Sequence, residues 1–165
     1  MTAPSDVLRD AFTYHSWATL GLLDAIDQLD RTQLDTSIPG TYGSILETLT
    51  HLVDADDRYL QRLVTTEVPP SVDHRLQEVD ELRPRVEAND ARWSDKLHEL
   101  EAGSLAARIR GRGDGYPDVD HAEGLLLLQA LHHGNDHRTQ VCSTLGTLGL
   151  EVPDIDVWSF WASRA

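Results

Sequence analysis

The stretch DHAEGLLLLQALHHGNDHRTQVCSTLGTLG, residues 120–149, reads as one long helix around which the rest of the chain has to pack. Asp120 followed by Glu123 has the spacing of a capping box, in which an N-cap side chain and the third helical residue satisfy each other's backbone donors. Leu125 to Leu128 is apolar on every side, as in a helix surrounded by neighbours. Gly149 near the end and Pro153 just beyond are stop signals, so the helix is predicted to reach about Leu148.

The flanking sequence supplies the covering helices. Leu8, Ala11, His15, Ala18, Leu22, Ala25 and Leu29 alternate three and four apart, a seam that predicts a first helix from Ser5 to Asp30. Ser44 with Glu47 forms a second capping box. Ile45, Leu49, Leu52, Tyr59 and Leu63 continue the apolar side behind it, giving a second helix from Ser44 to Val64. A third segment, Asp73 to Glu101, is mostly polar with sparse apolar positions and reads as an outer helix, in which Pro84 should force a kink or a fresh start. Arg108 to Asp118 is rich in Gly and Arg, a short hairpin or an open loop. The tail from Asp154 carries Trp158, Phe160 and Trp161, too much aromatic surface for water, and should dock as a short helix. The expected fold is a single all-α domain over residues 1–165, a four-helix bundle with a short C-terminal helical tail.

Composition narrows the function. At 165 residues the chain buries a core without disulfides or a structural metal. Its 28 acidic against 14 basic residues give a formal charge of -14, opposite in sign to a nucleic-acid-binding surface. Asp6, Arg9, Asp10, Asp24 and Asp27 interrupt the first thirty positions, so neither a signal peptide nor a membrane span can be drawn, and a cytoplasmic protein is expected. Lone Cys142 supplies neither a disulfide nor a multi-cysteine zinc site. Metal chemistry would have to come from His and carboxylates.

His133 and His137 are the histidines with a defined geometric consequence. Four residues apart on a helix, they differ by about 40° around the axis and roughly 6 Å along it, so both imidazoles can meet one ion. With His133 as origin, Leu126 falls at about 20°, Ala130 at about 60° and Val141 at about 80°, which places the pair on an inward face, while His132 at about -100° lies near the rim. Such pairs also recur as plain surface or core histidines. A third ligand would come from another helix, and His51 is the candidate, although its place at the edge of the apolar stripe leaves it undecided.

Tyr14-His15-Ser16-Trp17-Ala18, Thr50-His51-Leu52-Val53 and His133-Gly-Asn-Asp-His137-Arg138-Thr139-Gln140 together make the chain resemble the DinB/YfiT-like metalloenzyme family, over nearly its whole length. The resemblance implies a DinB/YfiT-like bundle with crossovers longer than a simple up-and-down hairpin. It also implies a divalent ion on His51, His133 and His137, and kinship with thiol-dependent transferases. Two departures stand out: His137-Arg138-Thr139-Gln140 where the family often has His-Arg-Gly-Gln, and Gln129 where it often has a further His. The resemblance implies no DNA binding, in agreement with the charge.

Other residues have two readings each. His15 points inward from the seam, either as an acid or base lining the cavity or as a core histidine satisfied by hydrogen bonds. Gln140, at about -20° on the wheel, either positions substrate or water or makes an interhelical hydrogen bond. Glu47 is explained by capping, Arg58 by surface pairing, and Asp54, Asp56 and Asp57 by a solvated acidic face. Cys142, on the far side of its helix, reads as a buried inert thiol.

Three neutral imidazoles leave an ion's charge uncancelled, so a thiol or water in an open position would lose its proton near neutral pH. The resemblance favours transfer of a low-molecular-weight thiol to a small electrophile; imidazole suits zinc, nickel, copper and iron alike, and zinc or nickel is the ion expected. The alternatives are a metal-dependent hydrolase, a non-catalytic bundle that stores a metal or binds a small ligand, and a metal-free member acting through its surface. The apolar faces and aromatic tail could also support a homodimer.

Overall fold

The computed structural model describes residues 4–64, 78–99, 108–109 and 121–165. Its elements are α1 (Pro4–Ile26), α2 (Arg31–Leu34), α3 (Ile45–Val64), α4 (Val79–Glu99), β1 (Arg108–Ile109), β2 (His121–Ala122), α5 (Glu123–Thr147) and α6 (Val157–Ser163). Four long helices form the bundle. α1 packs on α4 and α5, and α3 packs on the same two, so α1 and α3 lie diagonally across the core. Among the described residues the only strand pairing is the two-residue antiparallel ladder of β1 with β2, which leaves the fold all-helical.

Two apolar clusters reveal the helix directions. At one end Leu22 and Ile26 of α1 meet Ile45, Leu49 and Val53 of α3, Leu82 and Val86 of α4, and Val141 and Leu145 of α5. At the other, Phe12 meets Leu60, Trp93, Leu97, Leu127 and Ala130. α1 and α5 therefore run one way and α3 and α4 the other. Parallel α3 and α4 require a connection that returns along the bundle, in keeping with the expected long crossover. No helix among the described residues is long and apolar enough to cross a membrane.

Local signals explain most boundaries. Ser44 Oγ accepts from the Glu47 amide at 3.2 Å and Glu47 Oε2 accepts from the Ser44 amide at 2.7 Å, the expected box at the start of α3. At the end of α5, Gly149 takes φ +70° while its amide bonds to Gly146 and that of Leu150 to Leu145, a Schellman stop.

Several expectations need correction. The first helix ends at Ile26 and not at Asp30, because Asp30 and Gln33 form a capping box that starts the separate turn α2. Its buried face is also wider than the seam: Phe12, Ser16, Thr19, Leu23 and Ile26 join His15, Ala18 and Leu22, because α1 touches two neighbours. α4 runs unbroken through Pro84, with neither fresh start nor outer position, since Leu82, Val86, Asn89, Trp93 and Leu97 are buried on both sides of the proline. α5 is capped by Ala122 without a side-chain bond, and Glu123 is instead buried in an ion pair with Lys96 at 2.6 Å. Leu125 and Leu128 are 53% and 51% exposed, so this run is not surrounded by helices. The tail does form a short helix, capped by Asp156, but only Phe160 docks, against Tyr14 and Trp17, while Trp158 and Trp161 stay exposed. The expected start at Asp73, the interior of the Arg108–Asp118 hairpin and the Asp120 cap lie outside the described residues.

Between the two apolar clusters the bundle has a polar layer. His15, Ser16 and Thr19 on α1, Asp54 and Asp56 on α3, Asn89 on α4, and His137 and Arg138 on α5 are all buried there. This layer contains the candidate site.

Candidate metal centre

α3 and α5 pack side by side, which brings His51 to the His133/His137 pair. His51 Nε2 lies 3.0 Å from His133 Nε2, which lies 3.1 Å from His137 Nε2. One donor atom from each of the three falls within 4.8 Å of the others, and no further His, Cys or carboxylate joins the group among the described residues. Two nitrogens bound to one zinc at about 2.0–2.1 Å and tetrahedral angles stand about 3.3 Å apart. The two spacings to His133 are within a few tenths of an ångström of that and all three donors lie within 4.8 Å of one another, so the residues present fit a divalent ion after small ring rotations.

Burial keeps His133 and His137 in the neutral form a cation needs. Burial, together with the neighbouring His137, His51, Arg58 and His15, holds His133 down to about 3. Burial also lowers His137, against a hydrogen bond to Gln140 that works the other way. Gln140 Oε1 lies 3.0 Å from His137 Nδ1 and accepts from the Tyr42 amide at 3.0 Å. Because a carbonyl oxygen only accepts, the His137 proton sits on Nδ1 and the Nε2 lone pair faces the cluster. Gln140 thus orients a candidate ligand. His133 Nδ1, by contrast, is buried without a partner among the described residues.

Two tyrosines wall the cluster. Tyr42, in the connection before α3, stacks on His51 with ring centroids 4.0 Å apart and planes at 16°, and stands edge-on to His137 at 5.6 Å. Tyr59 is edge-on to His133 at 5.7 Å.

His15 lies beside this cluster, tied into a buried network of its own. Its Nε2 is 2.7 Å from Asp56 Oδ2, and its Nδ1 is 3.2 Å from Arg138 Nη1. A guanidinium only donates, so Nδ1 accepts and the ring proton on Nε2 is given to Asp56. Arg138 Nη1 also donates to the His15 carbonyl and to Thr19 Oγ1. Burial pulls Arg138 below the ordinary guanidinium range, opposed by the charge of Asp56. Gly134 makes this network possible: a Cβ there would stand 2.2 Å from His15 Cε1.

The acidic residues of α3 are not the solvated face expected of them. Asp54 and Asp56 are buried, and Asp54 pairs with Arg85 at 2.8 Å. Asp57 binds both Arg85 and Arg92, the latter at 2.9 Å. The signal was available, since Asp56 stands four residues after Leu52 and seven after Leu49, on the apolar stripe. Arg58 has no carboxylate partner among the described residues, so surface pairing does not explain it. Cys142 is half-buried, and burial raises its thiol, which suits an inert role. From sequence Tyr59 reads only as part of the apolar side of its helix and Arg138 only as part of the motif, Tyr42 is not singled out at all, and no periodicity marks a loop tyrosine as a stacking partner.

The DinB family model matches residues 1–164. Among solved structures, a DinB-like protein from Bacillus cereus ATCC 10987 is similar with a TM-score of 0.68 and 18% identity, over 88% of this chain and 93% of that one. No curated protein matches the chain.

Proposed function

We propose, for a chain that belongs to the DinB family, that His51, His133 and His137 hold one divalent ion through their Nε2 atoms and that the site transfers a low-molecular-weight thiol to a small electrophile. The observation that carries the reading is the convergence of three Nε2 atoms at 3.0 and 3.1 Å with no fourth protein ligand among the described residues. A closed structural site would have that fourth ligand, whereas catalytic sites keep a position open. The ion, proposed as zinc or nickel among the several that imidazole ligands suit, would supply Lewis acidity that brings a thiol's deprotonation to neutral pH.

The chain's own residues do the rest. Three neutral imidazoles leave the positive charge uncancelled at the open position, Gln140 holds the Nδ1 proton of His137, and the Tyr42 and Tyr59 rings screen the cluster from water. In the transfer, sulfur forms a bond to the electrophilic carbon, the displaced electron pair leaves with the leaving group, and the thiol proton passes to solvent.

Elemental analysis of tag-free protein tests the first half. About one metal per chain, lost in a folded His133→Ala/His137→Ala variant, supports the centre, and thiol consumption with a haloalkane probe then tests transfer. Wild-type protein that takes up neither zinc nor nickel after incubation and desalting removes the proposal.

A further inference from the structure

Arg58 stands seven residues beyond His51 on α3, so the two side chains leave the helix within about 20° of each other, two turns apart. Its neighbour Tyr59 presents a ring edge to His133, with ring centroids 5.7 Å apart. Because helix side chains lean back toward the N-terminus, the long Arg58 side chain reaches from this position toward the His51 end of α3 and the cluster.

Its surroundings are unlike those of the other bundle arginines. Asp54 and Asp57 engage Arg85, Asp57 engages Arg92, Asp24 engages Arg83, and His15 and Thr19 receive Arg138. With 28 acids to 14 bases, an arginine placed for solubility or packing has ample choice of carboxylates. Arg58 is half-buried and has none among the described residues. A lone cation beside a group that gathers a cation is electrostatically unfavourable until an anion arrives between them.

We propose that the molecule meeting this site carries, besides the atom offered to the metal, a carboxylate that Arg58 binds. The inference rests on the metal reading above. A guanidinium fork matches a carboxylate in shape. A single arginine, unaided by lysine and set in a chain of charge -14, suits a monoanion better than a phosphate dianion.

The test uses cobalt-loaded, tag-free protein titrated with three thiols of similar size, 3-mercaptopropionate, 2-mercaptoethanol and cysteamine, followed by the cobalt absorption bands and expressed per thiolate. Net charge alone predicts that cationic cysteamine binds best; Arg58 predicts the reverse. The expected result is a preference of about five- to tenfold for mercaptopropionate over mercaptoethanol. It should vanish in Arg58→Gln and persist in part in Arg58→Lys, with cobalt content and circular dichroism unchanged. Equal affinities, a preference that survives Arg58→Gln, or no spectral response to any thiol overturns the inference while leaving the metal centre standing. Failure of the wild type to take up cobalt overturns both, and is recognised before any thiol is added.

Discussion

Gly134→Ala tests the architecture of the site directly. In an exposed helix this change stabilises by about 1 kcal/mol, because alanine has the higher helix propensity. Here the added Cβ would sit 2.2 Å from His15 Cε1, 2.6 Å from its Nδ1 and 3.0 Å from Arg138 Nη1. The His15 ring cannot swing aside cheaply, since Asp56 holds one nitrogen at 2.7 Å and Arg138 the other at 3.2 Å. Overpacking of a core costs about 1–3 kcal/mol, and disrupting a hydrogen bond to a charged group adds about 1.5–3. Less the propensity gain, the expected net loss is about 1.5–5 kcal/mol, or a fall in Tm on the order of 10 °C for a chain of this size. Urea denaturation followed by circular dichroism measures it. The same substitution in a His15→Ala background should be neutral or stabilising, because the obstructing ring is gone. A Gly134→Ala protein more stable than wild type, or an equal penalty in both backgrounds, would refute the packing of His15 on Gly134.

Four further outcomes are expected. His133 stays neutral in the fold down to about 3 while its unfolded counterpart takes a proton near 6.5. The metal-free protein is therefore fully stabilised by this group above about pH 6.5 and loses that stability as pH falls toward 3, by at most about 1.4 kcal/mol per pH unit. His137 acts in the same direction, and a flat stability profile from pH 7 to 4 contradicts the sign. Arg85→Ala removes the ion pair that holds the buried Asp54 carboxylate at 2.8 Å and should cost about 3 kcal/mol in denaturant titration; a loss under about 1 would refute a stabilising role for the pair. Gln140→Leu should weaken zinc about 10- to 100-fold in a chelator competition while the metal-free Tm barely moves, and unchanged affinity would remove its orienting role. Gly149→Ala forces an alanine to φ +70° and should cost about 1 kcal/mol, measured by Tm.

The fold was legible where the signal is local. Ser44 with Glu47 and Gly149 with its flanking residues closed the helices as read, because caps and Schellman stops depend on a few adjacent residues. The Asp30–Gln33 box is just as local but was masked by Leu29, which continues the seam spacing past the true end of α1. Burial was less legible. A seam three and four apart finds one face, yet α1 buries a wider arc against α4 and α5, and that depends on who its neighbours are. The polar face of α4 looked external for the same reason. Its sparse apolar residues all point inward, and Arg85 and Arg92 are matched by acids of α3 that had themselves been read as solvated.

His133 and His137 come together by helical repeat alone, but His51 joins them only because parallel α3 and α4 set α3 beside α5. That depends on a crossover no periodicity encodes. The same arrangement settles the charge at the centre. Asp56 is the carboxylate tied to His15 beside the histidines, and it is already engaged by His15, whose other nitrogen accepts from Arg138. One negative and one positive side chain thus offset each other across the diagonal of the bundle, while Asp56 Oδ1 is buried without a partner among the described residues. Asp54 is likewise held by Arg85. Of the acids around the cluster, Asp54 and Asp56 are therefore committed to arginine and histidine, whereas the charge of Asp136, next to His137 in sequence, does act on that ring. A cation on three neutral imidazoles would keep most of its charge for whatever occupies the open position, and under the proposed function that charge would make a thiol reactive there at neutral pH.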